Sequence, residues 1–250
     1  MNIAFIVQAR SGSTRLPNKM NMPFYGNKSI LDIILNRLKT SFNDIPVILA
    51  TTVNAKDDAI VETGYRNKVE VYRGSENNVL NRFIDAARQF SIDHVIRICA
   101  DNPFISVKHL SELIDFYKSS QCNYVSFTSK DGLPAMKTHY GFFTEITSLK
   151  TLETTAQKTQ DPFYCEHVTN YIYEHPEFFS LDFIKIPEKI ENANIRLTVD
   201  TMQDFNICQA IYTHLKTQQL SAEPEEIITY INDNPDFLLT MKDQINLNKK

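Results

Sequence analysis

The chain has 250 residues, of which 42% are hydrophobic and 22% are charged, and its formal net charge is −4. This balance favours one large α/β domain, with at most a small subdomain, and argues against nucleic-acid binding through a broad basic face. No apolar stretch approaches the roughly 18 residues of a membrane span, and no basic region precedes the first apolar run, so neither a span nor a signal peptide is expected.

The first predicted element is a buried strand over residues 3–8, because this run is apolar and rich in β-branched and aromatic types. The loop that follows, residues 9–19, is built from small residues and contains Gly12, where the backbone can approach a ligand closely. Its backbone N–H groups and positive charges suit a polyphosphate, although an ordinary solvated loop is the alternative. It matches neither the P-loop nor the common dinucleotide motif. The three cations of the loop are Arg10, Arg15 and Lys19.

Residues 9–19 read Ala-Arg-x-Gly-Ser-x-Arg-Leu-Pro-x-Lys, which resembles the signature of the cytidylyltransferases that activate sugars and sugar acids with CTP. The chain is most similar to the spore coat polysaccharide biosynthesis protein F subgroup, and the matches cover most of residues 1–215. The resemblance implies a Rossmann-like nucleotide-diphosphosugar-transferase fold, an α/β fold with a mixed, mostly parallel sheet flanked by helices. It also implies that the loop binds the nucleotide through Ala9, Arg10, Ser11, Gly12, Ser13, Arg15 and Lys19.

The next predicted elements are a helix capped by Ser29 and a second buried strand over 47–52. Thr51 and Asn54 lie at the end of that strand, where an open α/β sheet binds ligands, and they are placed to read a base edge. Helix capping by Asn54 or Asp57 is the simpler interpretation for any single residue.

A third short strand, over 69–72, leads into a second stretch that resembles the family. Residues 73–82 match the subgroup's Arg-Gly-Ser-Glu-x-Asp-Val-Leu-x-Arg, except that Asn78 stands where Asp is expected. Ser75 or Asn77 is expected to cap the helix that begins here. The match adds three expected nucleotide contacts, Gly74, Ser75 and Arg82.

Asp101 is the first candidate metal ligand. It follows Ala100, a further expected nucleotide contact, just after a fourth buried strand over 94–99. An Asp at this place can hold Mg²⁺ against a triphosphate, or it can form an Asx-turn before Pro103. The family pattern Arg-x-x-x-Asp-x-Pro-x-Ile is present, and it implies a metal ligand.

Asp200 is the second candidate. Residues 195–201 are predicted to form a short strand, and strand ends in a parallel sheet face the same edge, so Asp200 and Asp101 are expected to meet. N-capping of the helix from Met202 is the alternative. Residues 196–205 match the family's Arg-Leu-Thr-Val-Asp-Thr-x-x-Asp-Phe, which implies that both aspartates bind Mg²⁺. The implied catalytic residues are Arg10, Lys19, Asp101 and Asp200.

Residues 128–146 lose clear periodicity and are expected to make an excursion from the sheet, and residues 134–190 are expected to form a small acceptor-binding and dimerisation subdomain. The segment is rich in aromatic residues, which are enriched at the buried centres of interfaces, although a second small core is the alternative. In the family a comparable segment pairs subunits and completes the acceptor pocket, which implies a two-fold homodimer. For His167 a structural role is an equal alternative. The candidate acceptor contacts are His139, Glu145, Glu166 and His167.

The resulting hypothesis is a Mg²⁺-dependent cytidylyltransferase that transfers CMP from CTP to a sugar, sugar acid or related phosphorylated metabolite for cell-surface polysaccharide or glycoconjugate biosynthesis. A sugar-nucleotide-dependent glycosyltransferase is the alternative enzyme. Such enzymes usually carry Asp-x-Asp at a strand end, and this chain has none there. A non-catalytic nucleotide-binding regulator is the third possible function.

Residues 1–245 are expected to form a single nucleotidyltransferase domain and residues 246–250 a mobile tail. The four cysteines lack a Cys-x-x-Cys motif and fit reduced thiols in a cytoplasmic protein.

Overall fold

A computed structural model describes residues 1–248, and these contain a seven-stranded sheet with the strand order β3-β2-β1-β4-β6-β5-β7. Neighbouring strands are parallel except at β6, which runs antiparallel to both β4 and β5. The expected mixed, mostly parallel sheet is therefore confirmed. The strands are β1 (Ile3–Gln8), β2 (Val47–Thr52), β3 (Glu70–Gly74), β4 (His94–Cys99), β5 (Tyr124–Thr128), β6 (Glu145–Ser148) and β7 (Leu181–Lys185).

Several of the helices begin at a residue whose side chain caps the first turn. Ser29 caps the first helix through a capping box with Asp32, as predicted. Asn78, rather than Ser75 or Asn77, caps the third by accepting the backbone N–H of Asn81. Among residues 1–248, no helix has both the length and the apolar composition needed to cross a membrane. The helices are α1 (Ile30–Ser41), α2 (Asp58–Arg66), α3 (Val79–Gln89), α4 (Val107–Ser119), α5 (Leu149–Lys158), α6 (Pro162–Glu166), α7 (Asn170–Glu174), α8 (Met202–Thr217), α9 (Pro224–Asn232) and α10 (Pro235–Leu247).

Helices cover both faces of the sheet, and each face has its own hydrophobic core. Phe5 and Val7 of β1 point into one cluster, which also receives apolar residues of α1, α4, α8 and α9. Ala4 and Ile6 point into the other, which is closed by α3 and α5. Because β1 is buried on both sides, its sequence is continuously apolar instead of alternating.

The order of the strands reverses between β1 and β4. The chain runs outward from β1 to β2 and β3, then returns to place β4 on the other side of β1. In open α/β sheets the crevice at such a switch point, beyond the carboxyl ends of the strands, is where ligands bind. The loops after β1 and β4 both open into this crevice, so the fold brings residues 9–19 and Asp101 to the same place.

Residues 195–201 do not form the predicted strand. Residues 195–199 are all buried, but the segment makes isolated backbone hydrogen bonds instead of a ladder. Leu197 N–H donates to the His139 carbonyl at 2.8 Å, and Val199 N–H donates to the Asp101 carbonyl at 2.9 Å. The prediction was wrong about the element, but Asp200 still lies beside Asp101.

Two further stretches differ from the sequence-based expectations. The excursion, residues 129–144 between β5 and β6, contains a 3₁₀ turn, Ala135–Lys137, and the chain then returns to the sheet as β6, which the sequence pattern did not reveal. At the carboxyl end, α10 continues to Leu247, so residues 246 and 247 of the expected tail are helical. Lys249 and Lys250 lie outside the described residues.

Candidate active site

Lys19 joins the two candidate aspartates. Its ammonium nitrogen lies 3.4 Å from Asp101 Oδ2 and 3.3 Å from Asp200 Oδ1. It also donates a 2.7 Å hydrogen bond to the carbonyl oxygen of Val199. Lys19 is buried, so solvent screens these interactions only weakly. The structure therefore brings together three of the four residues that sequence reasoning named as catalytic.

Asp200 is surrounded by positive charge. Besides Lys19, Arg15 Nη2 lies 3.1 Å from Asp200 Oδ1, and Arg196 Nη2 lies 3.0 Å from Asp200 Oδ2. Burial by itself would raise the pKa of Asp200, but the charges of Lys19, Arg15 and Arg196 outweigh burial and lower the pKa below its usual value. The Asp200 carboxylate is therefore ionised at neutral pH.

Arg196 supports this cluster from the interior of the protein. Sequence reasoning did not select it as a site residue. Its guanidinium is fully buried and binds both oxygens of Asp204, through Nε at 2.8 Å and Nη2 at 2.9 Å. Asp204 in turn accepts the backbone N–H groups of Asp200 and Thr201. Asp204 therefore fixes the backbone at Asp200 while Arg196 fixes its side chain. An Arg four residues before the candidate Asp200 was the available signal in the sequence.

His139 belongs to the same buried support. Its Nδ1 is at hydrogen-bonding distance from Arg196 Nη1. The neighbouring Gly141 has φ +67°, and a Cβ there would come within 2.8 Å of the Leu197 carbonyl oxygen. The excursion is thus pressed closely against the segment that carries Asp200.

The small-residue part of the loop is anchored by Asp57. Ser11 N–H donates to Asp57 Oδ1 at 2.7 Å, and the Thr52 hydroxyl donates to Asp57 Oδ2. Burial opposes ionisation of Asp57, but the hydrogen bonds from Thr52 and Ser11 lower its pKa overall. From sequence, Asp57 was considered only as a helix cap, yet its side chain makes no capping bond and turns inward to hold the loop.

Arg10 points towards the other side of the crevice. Its Nη2 lies 2.8 Å from Glu166 Oε1, and each side chain is 36% exposed. The pair therefore links the loop after β1 to α6 and stays accessible to a ligand. Within residues 1–248, Arg10 donates to the Glu76 carbonyl and to Glu166, and not to either candidate aspartate.

The expected base-side residues line the end of β2 and β3. Asn54 caps a 3₁₀ turn, Ala55–Asp57, and donates to Glu76 Oε2 at 3.0 Å. Arg82 is buried and donates to the Ser75 carbonyl at 2.8 Å, and burial followed by the charge of Arg10 lowers its pKa. Thr51 is fully buried, so like Arg82 it supports this edge of the sheet from the interior.

The four candidate acceptor contacts do not come together. Glu145 is fully buried, and its carboxylate accepts hydrogen bonds from Arg97, Tyr124 and Thr169. His167 is exposed, with its ring centre 4.8 Å from that of Phe163. Glu166 contacts the loop after β1 through its ion pair with Arg10. Glu145 is the first residue of β6, and its carboxylate lies in a buried network of hydrogen bonds.

A small cavity, about 20 Å³ in volume, lies beside the candidate metal ligand Asp101. It is lined by Asn102 and residues of the excursion, among them Met136 and Thr138. Within residues 1–248, Asn102 Oδ1 is buried without a hydrogen-bond partner. A groove of about 490 Å³ between α8 and α9 is lined by none of the residues described above, so its size has no bearing on this site.

The donor set fits Mg²⁺ shared with a substrate. Mg²⁺ is usually held by one or two carboxylates together with phosphate oxygens and water, rather than by an all-protein cage. Asp101 and Asp200 present two carboxylates to the same nitrogen. No group of three or more His, Cys, Asp or Glu residues suited to hold a metal ion occurs within the described part of the chain.

The sequence matches known proteins along almost its whole length. A cytidylyltransferase family model matches residues 4–239. An uncharacterized protein of Methanocaldococcus jannaschii is 35% identical over 235 residues, which cover 94% of this chain and 92% of that protein. The spore coat polysaccharide biosynthesis protein SpsF of Bacillus subtilis is 31% identical over 245 residues, which cover 94% and 96% of the two chains.

Two solved structures also match most of the chain. A cytidylyltransferase from Leptospira borgpetersenii superposes with a TM-score of 0.83 at 30% identity, covering 95% of this chain and 97% of that one. The CMP:2-keto-3-deoxy-manno-octonic acid synthetase complexed with CTP has a TM-score of 0.62 at 14% identity, covering 88% of this chain and 100% of that one, and so shares its fold.

Proposed function

Because this chain belongs to the cytidylyltransferase family and is a nucleotidyltransferase, we propose that it transfers CMP from CTP to a sugar, a sugar acid or a related phosphorylated metabolite, with Mg²⁺ as cofactor. The observation that supports this most is that carboxylate oxygens of Asp101 and Asp200 both lie within 3.4 Å of the ammonium nitrogen of Lys19. The cluster lies in the crevice at the switch point of the sheet, and its mixed charges suit a triphosphate and a cation together.

The proposed reaction is an in-line displacement. An acceptor oxygen attacks the α-phosphorus of CTP, the bond to the bridging oxygen breaks, and pyrophosphate leaves. Lys19 and Arg15 offset the negative charge on the phosphates, and Arg10 exchanges Glu166 for a phosphate oxygen. Mg²⁺ held by Asp101 and Asp200 would supply neutralisation of charge on the transferred and departing phosphates.

We place the base and the acceptor on opposite sides of this cluster. Residues at the ends of β2 and β3, including Asn54, Gly74 and Ser75, form the nucleoside side, above the buried Thr51 and Arg82. The acceptor side lies between Asp101 and the excursion, with Glu166 becoming available once Arg10 turns to the phosphates. The remaining nucleotide contacts are Ala9, Ser11, Gly12, Ser13 and Ala100.

The name of the Bacillus subtilis relative, a spore coat polysaccharide biosynthesis protein, supports a place in polysaccharide biosynthesis. The acceptor is best identified by screening sugar acids, sugar phosphates and phosphonates for pyrophosphate release with CTP, ATP, GTP and UTP in parallel. We expect release with CTP and one acceptor class. Equal rates with all four nucleotides, or no release with any acceptor, would contradict the proposal.

Arg10→Ala is expected to weaken CTP binding by about tenfold or more, because it removes a charge-assisted contact to a phosphate. The measurement is CTP affinity by calorimetry in the presence of Mg²⁺. Arg88→Ala is the matched control, since Arg88 lies on α3 in exposed ion pairs with Asp85 and Glu153. Unchanged affinity in Arg10→Ala would show that its charge serves only the pair with Glu166.

We further propose a two-fold homodimer built on the excursion and the helices after it. Phe163 and Phe178 are 49% and 51% exposed, and Lys158 Nζ lies 3.6 Å from the centre of the Phe178 ring. Exposed aromatic rings suit the centre of an isologous contact.

Light scattering at micromolar concentration should therefore give twice the chain mass, and Phe163→Ser with Phe178→Ser should shift the protein towards monomer. Tyr65→Ser is the control, because Tyr65 is an exposed ring on α2, outside this segment. A monomeric wild-type protein would contradict the dimer.

A further inference from the structure

We propose that Lys19 keeps divalent cations away from Asp101 and Asp200 until a nucleoside triphosphate arrives, so that the metal enters only with the nucleotide. The inference rests on the proposed function, because it assigns a binding order to the same site. It gives Lys19 a second task besides contacting phosphate.

The geometry gives Lys19 the position between the two carboxylates. Its ammonium lies within 3.4 Å of one oxygen of Asp101 and of Asp200, and the Val199 carbonyl accepts a third, shorter contact at 2.7 Å. An ammonium has three N–H donors, and these three acceptors use all of them. A cation bridging the same oxygens would have to displace a buried charge that is fully satisfied.

The charges of the cluster already balance. Lys19 and Arg15 are cations that contact Asp200 Oδ1, and Arg196 contacts Asp200 Oδ2. The opposing carboxylates are Asp101, Asp200 and Asp204, the last being bound by Arg196. Three positive and three negative side chains leave no net charge to attract a divalent ion. A metal entering alone would therefore meet the repulsion of Lys19 at close range, with no net negative charge of the cluster to attract it.

A triphosphate changes this balance, because it brings several negative charges. Lys19 has a flexible four-carbon stem and can swing its ammonium from the carboxylates to a phosphate oxygen. Arg15 is half exposed and can follow. Arg196 is fixed by Asp204 in the interior, so it continues to hold Asp200 in place while the other two cations move.

The test uses Mn²⁺ as a spectroscopic probe and requires no turnover. Binding of Mn²⁺ to the full chain is measured by electron paramagnetic resonance without nucleotide, in the wild type and in Lys19→Met. We expect weak binding in the wild type and at least about tenfold tighter binding in Lys19→Met, since the variant removes the competing charge. Lys56→Met is the control, because Lys56 is an exposed lysine beside the same loop, and its Mn²⁺ affinity should equal that of the wild type.

Equal Mn²⁺ affinity in the wild type and in Lys19→Met would overturn the inference, as would tight binding by the wild type alone. Circular dichroism melting verifies that the variant is folded, and Lys19→Gln provides a second neutral side chain if Lys19→Met is not. A failed proposed function would appear separately, as an absence of CTP-dependent pyrophosphate release, whereas Mn²⁺ binding is measured without any substrate.

Discussion

Asp101→Asn and Asp200→Asn are each expected to lower the rate of CTP-dependent pyrophosphate release by about two to three orders of magnitude, because each removes a carboxylate charge proposed to hold Mg²⁺. Rates are measured at saturating Mg²⁺ and CTP, so that weaker metal binding alone does not account for the loss. Near-normal turnover of either variant would remove that residue from the metal site.

The two aspartates differ in how cleanly they can be tested. Asp101 has a 30% exposed side chain and one ion pair, with Lys19. Asp200 also holds Arg196, which is buried, but Asp204 retains that guanidinium through two bonds when Asp200 is changed. The fold should therefore survive both substitutions. Asp131→Asn, at an exposed turn position, controls for the loss of one negative charge.

Glu145→Gln is expected to lower the free energy of unfolding by about 3 kcal/mol or more, because removing one partner of a buried ion pair leaves the other charge uncompensated. Glu145 is fully buried, and its partner Arg97 lies almost wholly inside as well. Burial, reinforced by the charge of Glu145, raises the pKa of Tyr124 well above its usual value, so the phenol remains a donor to this carboxylate.

The chain contains a matched pair on its surface. Arg88 and Glu153 form an ion pair with N···O 2.6 Å in which both side chains are partly exposed, so Glu153→Gln should cost less than about 1 kcal/mol. Urea denaturation compares the two variants directly. Full stability of Glu145→Gln, combined with a raised KM for the acceptor, would instead return Glu145 to the acceptor pocket.

The central strands were predictable because of where they lie. The strands β1, β2, β4 and β5 are covered on both faces, which favours mainly apolar sequences, and the sequence shows such runs, most continuously in β1. Asp101 was found for the same reason, since it directly follows such a run. The position of Lys19 was implied by the family signature.

Other features depend on contacts between distant parts of the chain. Lys19 and Val199 are 180 positions apart, so no local pattern indicates their hydrogen bond. The segment over 195–201 has the alternation of a strand, but its neighbours offer single carbonyl groups and not a strand edge. Asp57 has the sequence context of a helix cap, and only the fold reveals that its carboxylate turns towards Ser11 and Thr52.

The most direct test of the proposed cytidylyl transfer follows the α-phosphorus of CTP. The full chain is incubated with Mg²⁺, the acceptor found by screening, and CTP labelled either at the α-phosphorus or at the γ-phosphorus. We predict that the α-label appears in a CMP-linked acceptor and the γ-label in pyrophosphate, in equal amounts. Recovery of the α-label only as intact CTP or free CMP, whichever acceptor is supplied, would contradict the proposed function.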